Sequence, residues 1–242
     1  MGRWRRSGRI WCNWPSRPIG LIELIGGSYL SASPHISYKF LLEALREKGL
    51  AIHAWTYLPS LDHQAQANEA WKSFRLCRKK LESRVGVKLN PIRLGHSLGC
   101  KLHLLSPDGG RNSKIFISLS FNNFNANNSI PIIGRLSSKL NMETEFSPSP
   151  QETMNLIFNQ YTQPNNLIIN FSNDKLDQSK LLIKCLKNRE QDSSENVQLE
   201  GDHLTPISSG LRQNILGEWA VDDNKIKTLN ILITQIYKYS TK

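Results

Sequence analysis

The stretch IRLGHSLGCKLHLL, Ile92 to Leu105, decides how this chain is read. An apolar run ends at Gly95, a single serine follows at Ser97, a second glycine stands at Gly99, and apolar residues then recur at helical spacing. That order predicts a short buried strand, a very sharp turn and a helix. Gly95-His96-Ser97-Leu98-Gly99 matches Gly-x-Ser-x-Gly, in which the turn strains the serine backbone and lifts its hydroxyl above the end of a sheet. Small residues two positions to either side let the neighbouring chain approach. The helix that follows turns its free N–H groups toward any negative charge that develops there.

Outward from this turn, short apolar runs alternate with longer helical periods, the signature of a mostly parallel sheet covered by helices. Ile19 to Ile25 reads as a buried strand that ends in Gly26 and Gly27. SYKFLLEALREKG places Tyr38, Phe40, Leu41 and Leu45 near one helical face and stops at Gly49. LAIHAWTY is the next strand, and Ala67, Ala70, Trp71, Phe74, Cys77 and Leu81 mark a long helix from Gln64 to Arg84 as core. KIFISLSF, NNLIINF and ENVQLEG complete the strands. SPQETMNLIFNQY, DQSKLLIKCLK and KIKTLNILITQIYKY complete the helices, the first with Ser149 as cap and Pro150 in its first turn. The fold class expected is α/β, an α/β-hydrolase fold with a mostly parallel central sheet. Residues 19–242 form one domain, and the irregular, Asn- and Ser-rich residues 122–149 shape the pocket as a lid-like segment.

Composition narrows the classes. The chain has 242 residues and a net charge of +11. Residues 1–18 carry five arginines and no acid, so they read as a basic arm. Such an arm with tryptophans suits peripheral contact with an anionic membrane; the plainer reading is a solvated terminus. No recognition motif for nucleic acid accompanies the charge. Cys12, Cys77, Cys100 and Cys185 are far apart in sequence and contain no Cys-x-x-Cys pair, so neither a disulfide framework nor a zinc site is expected, and a reducing, cytoplasmic compartment fits. No apolar run reaches membrane-spanning length, and no cofactor motif is present.

A lone serine is a poor nucleophile. It needs a base to accept its proton and a carboxylate to orient that base. In this fold type the chain order is Ser, then Asp or Glu, then His. Asp174 follows the strand NNLIINF by three residues and is the favoured acid, with Asp177 as competitor or as cap of the next helix. His203 follows the last strand. His35, His53, His63, His96 and His103 all precede the acid, so order selects His203 as base. An oxyanion hole requires two backbone N–H donors. Leu98, after the serine, supplies one; the loop after the first long strand supplies the other at Ser28, with Gly27 close behind.

The segments IGGSYLSASPHISYKFLLEAL, GHSLGCKLHLL, SFNNF, NDKLDQS and GDHLTP together resemble the DUF1350 family, a domain of unknown function with α/β-hydrolase-like members in cyanobacteria and plastids. The likeness runs from about Trp11 to about Pro206. It implies an α/β hydrolase and puts the triad on Ser97, Asp174 and His203. It implies no substrate. One departure stands out: KLNPIRLG, before the turn, carries a proline and an arginine where an apolar run is expected.

The function expected is serine hydrolysis of an ester, thioester or related acyl compound, with a small-molecule acyl or lipid substrate. Two alternatives remain: an acyltransferase built on the same triad, and a non-catalytic scaffold of the same fold.

Overall fold

The computed structural model describes residues 3–125, 145–207 and 223–241. Its centre is an eight-stranded sheet in the order β1-β2-β4-β3-β5-β6-β7-β8. The strands are β1 Arg5–Ser7, β2 Ile10–Asn13, β3 Gly20–Ile25, β4 Leu50–Trp55, β5 Ile92–His96, β6 Ile115–Leu119, β7 Asn166–Phe171 and β8 Glu195–Leu199. From β4 to β8 every pairing is parallel; β1 and β2 join one edge antiparallel. Together with its flanking helices this is an α/β-hydrolase fold, as the alternation of strand and helix signals anticipates.

The helices are α1 Pro34–Ser37, α2 Lys39–Glu47, α3 His63–Val85, α4 Leu98–Leu104, α5 Pro150–Gln160, α6 Ser179–Lys187 and α7 Asp223–Thr241. On one face of the sheet, α2 and α7 pack Leu41, Leu45, Leu232 and Ile236 onto Ile22, Ile52 and Ile117. On the other face α3 and α4 cover Ile25 and Trp55, while α5 and α6 cover Phe116 and Ile168. Each fully buried leucine in these layers contributes about 2 kcal/mol of transfer free energy. No helix among the described residues is long and apolar enough to cross a membrane.

Two details differ from the sequence reading. Phe40 is 41% exposed, whereas Tyr38, Leu41, Leu42 and Leu45 are buried. The α2 stripe is narrow, and Phe40 lies one residue off it. The N-terminal segment is also more than a solvated arm, because its residues form the β1-β2 hairpin, with Ile10 and Cys12 in the core. Strands this short, with arginines on the outer edge, leave too few residues for a period of two to be visible. Of the lid-like segment 122–149, residues 126–144 lie outside the described residues.

The departure before the turn has a structural explanation. Pro91 precedes β5, where its missing N–H costs no ladder bond. Arg93 is buried, and its Nη2 donates to Asp108 Oδ2 at 2.7 Å. That pairing holds the Asp108 carboxyl below the usual carboxylate range against the opposing effect of burial.

Candidate active site

The five loops that build the site leave the C-terminal ends of β3, β5, β6, β7 and β8, which are consecutive neighbours in the sheet. In open α/β sheets this is where ligands bind.

Ser97 stands between β5 and α4 with φ 55° and ψ −123°, a conformation that a non-glycine residue adopts only under constraint. The flanking glycines are a steric necessity. A Cβ on Gly99 would sit 2.0 Å from the Ile25 carbonyl oxygen, and one on Gly95 would sit 2.6 Å from Cys100 Cα. Both obstacles are backbone and cannot rotate away. The Ser97 N–H donates to the Leu119 carbonyl at 3.0 Å, which ties the turn to the end of β6.

Across the sheet, His203 Nδ1 donates to Asp174 Oδ2 at 2.8 Å. The carboxylate can only accept, so Nδ1 carries the proton and Nε2 is left with a lone pair. Asp174 Oδ1 accepts from the Leu176 N–H at 2.8 Å, and the Asp174 side chain is fully buried. Burial alone would raise its pKa. The neighbouring Ser120 hydroxyl and the His203 imidazole outweigh that and hold the carboxyl below its usual value. Ser120 lies beside Asp174 short of full hydrogen-bond geometry, in a second strained turn with φ 51°. Asp177 is engaged elsewhere: its Oδ1 accepts from the N–H and hydroxyl of Ser179, at 3.3 and 2.6 Å, at the start of α6.

A buried relay joins three of the loops. The Gly27 N–H donates to Tyr38 Oη at 2.8 Å, and Tyr38 Oη lies 2.7 Å from His96 Nδ1. His96 Nε2 lies 2.9 Å from the His203 carbonyl oxygen. Only one proton arrangement serves all three contacts. His96 Nε2–H donates to the carbonyl, its Nδ1 accepts from Tyr38, and Tyr38 accepts from Gly27. His96 is fully buried, and that desolvation lowers its pKa to about 3, so it is neutral in this role. The relay went unseen in the sequence. His96 occupies the variable position of the motif, and its partners lie 58 and 107 residues away.

The relay also bears on the oxyanion donors expected from the sequence. The Gly27 N–H is already committed to Tyr38. Ser28 and Leu98 both line the cavity above the turn, and Leu98 is the first residue of α4, where backbone N–H groups lack partners within the helix. The same cavity, of about 490 Å³, is lined by Ser97 and His203 and walled by Leu30, Phe146 and Leu204. Lys101, one turn along α4 from Ser97, is the only lysine or arginine among its described lining residues, which include no aspartate or glutamate. Its Nζ donates to the Pro148 carbonyl at 3.1 Å, and burial lowers its pKa to about 8.

Comparison with known proteins agrees with the architecture. The family described as "Protein of unknown function (DUF1350)" matches residues 3–231. No curated protein matches the sequence. Among solved structures, the Paleococcus ferrophilus monoacylglycerol lipase is similar with a TM-score of 0.61 and 11% identity, over 96% of this chain and 99% of that one. The Francisella virulence factor BioJ is similar with a TM-score of 0.67 and 17% identity, over 98% of this chain and 84% of that one. An esterase from Thermogutta terrifontis, esterase 2, solved phosphonylated by sarin, has a TM-score of 0.62 and 14% identity, over 96% and 92%. At these identities the likeness is one of fold.

Proposed function

Because this chain belongs to the DUF1350 family and carries the α/β-hydrolase fold, we propose that it is a serine hydrolase acting on an ester or thioester of a small acyl compound. The observation that carries the reading is the 2.8 Å bond from His203 Nδ1 to Asp174 Oδ2, with His203 and the strained Ser97 facing one cavity.

In this reading Ser97 Oγ attacks the substrate carbonyl carbon while His203 Nε2 takes the hydroxyl proton. Asp174 holds the ring in the tautomer that leaves Nε2 free and stabilises the imidazolium that forms. The N–H groups of Leu98 and Ser28 bind the oxyanion of the tetrahedral intermediate. Collapse breaks the bond to the leaving alcohol or thiol, which departs with the proton from His203. Water then attacks the acyl-Ser97 ester, His203 accepts its proton, and the carboxylic acid product leaves as Ser97 is reprotonated. The cavity volume suits a small ligand, and its walls are largely apolar. An acceptor alcohol in place of water would make the same apparatus an acyltransferase.

A fluorophosphonate probe tests the proposal, since it phosphonylates only an activated serine. Wild-type protein is expected to label at Ser97, while Ser97→Ala does not. A folded wild-type protein that takes up no probe would return the chain to the non-catalytic scaffold reading.

A further inference from the structure

Away from the cavity, beneath the edge of the sheet, three buried side chains from three separate elements converge. Cys12 lies on β2, His53 on β4 and Cys77 on α3. Cys12 and His53 are direct cross-strand partners in the antiparallel register, so both side chains leave the same face of the sheet. Cys77 comes down onto them from the helix above. The two sulfurs are 3.1 Å apart, Cys77 Sγ is 3.4 Å from His53 Nε2, and the donor atoms of the three residues all lie within 4.8 Å of one another.

We propose that Cys12, His53 and Cys77 form a structural site for a thiophilic metal ion, zinc(II) by ligand chemistry. Two thiolates and an imidazole are the donors that zinc takes in tetrahedral sites. In such a site two thiolate sulfurs stand about 3.8 Å apart, and sulfur and nitrogen about 3.6 Å apart. The observed S···N separation is already close to this, and the sulfurs need to part by less than 1 Å. The His53 ring packs against Trp14 with centroids 5.8 Å apart, and its hydrogen-bonding contact among the described residues runs through Nε2 to Cys77, with Nδ1 buried and unpartnered. The Ser7 hydroxyl on β1 also lies near Cys77 but accepts from Lys80 Nζ at 2.9 Å, so the fourth position would fall to an exogenous ligand such as water. A metal here would clip the edge hairpin to the central sheet and to α3, adding to the Arg9–Glu69 ion pair and the Lys80–Ser7 hydrogen bond. No sequence motif announces it, because the three ligands are 41 and 24 residues apart along the chain.

The test uses the whole protein, purified under reducing conditions, stripped with a chelator and then titrated with Zn²⁺ or Co²⁺. One equivalent is expected to bind. Cobalt should give thiolate-to-metal charge-transfer absorption in the near ultraviolet with tetrahedral d–d bands. The thermal midpoint should fall on chelation and recover with zinc. Cys77→Ser should at least halve the charge-transfer band, the Cys12→Ser, Cys77→Ser double variant should abolish it, and His53→Gln should weaken binding by more than the ~10–100-fold that loss of a supporting group costs. If the serine variant does not fold, the wild-type titration and His53→Gln still decide the matter. Reduced, folded wild type that binds neither ion overturns the proposal. So does a band that is undiminished in Cys77→Ser. An untreated protein lighter by two hydrogens that takes up no metal after reduction would make the pair a disulfide instead.

Discussion

His96 Nε2 donates to the backbone carbonyl of His203 at 2.9 Å, across 107 residues of chain. The residue before the strained serine thereby fixes the loop that carries the proposed base. Through Tyr38, the same imidazole also holds Gly27 in the loop after β3, which carries the proposed oxyanion donor Ser28. The elements whose relative position would govern the proposed reaction are thus tied by one line of largely buried hydrogen bonds, where an unpaired member is costly.

Tyr38→Phe removes the centre of that line. It leaves the Gly27 N–H and His96 Nδ1 unpaired while keeping the ring in the core. The expected cost is about 1–3 kcal/mol in urea unfolding. Hydrolysis of a p-nitrophenyl ester should also fall, through kcat more than KM, because under the proposed mechanism the groups it positions act on the transition state. An unchanged kcat in a destabilised variant would reduce the relay to a packing feature.

The two aspartates after β7 should separate cleanly. Asp174→Asn forfeits the acceptor that fixes the His203 tautomer, so kcat should drop on the order of 10³–10⁴-fold with the fold intact. Asp177→Asn weakens a contact at the start of α6, so it should cost about 1 kcal/mol of stability or less and leave most activity. Steady-state kinetics beside thermal unfolding of the two variants makes the comparison.

Stability should decline on acidification well before the carboxylates titrate. Burial lowers the pKa of His63, His96 and His103 to about 3 each, from an unfolded value of 6.5. Between these limits the unfolded chain holds protons that the folded one does not. Unfolding free energy therefore falls as pH drops from about 6.5 toward 3, by about 1.4 kcal/mol per pH unit for each such imidazole. The lowered pKa values of Asp108 and Asp174 act in the same direction, but only as pH falls below their unfolded value of 3.8. Urea titrations at about pH 7.5 and about pH 5 measure the slope; a flat profile would mean that these histidines protonate without loss of structure.

The cavity's charge predicts a substrate preference. Lys101 has no acidic residue beside it among the described lining residues, so an acyl group that ends in a carboxylate should be hydrolysed faster than its neutral counterpart. Because the pKa of Lys101 is lowered to about 8, the preference should fade as pH rises through that value and the ammonium loses its proton. Lys101→Met should abolish the difference in kcat/KM between matched substrates.

What the sequence determined by itself is what local chemistry dictates. Gly95 and Gly99 must be small because backbone passes within contact distance of each, and that requirement is written at fixed spacing around Ser97. Strands and helices announce themselves by period, and Ser97, Asp174 and His203 stand in the chain order that this sheet topology imposes. Tertiary structure decided whatever depends on contacts between distant segments. It gave His203 Nδ1 to Asp174 and Ser179 to Asp177, although both aspartates follow the same strand. It committed the Gly27 N–H to Tyr38, made a hairpin of the basic terminus, and gathered Cys12, His53 and Cys77. Periodicity reports which face of an element is buried; it carries no information about which side chain from another element will meet that face. That choice is made only when the layers pack and each buried polar group must find a partner.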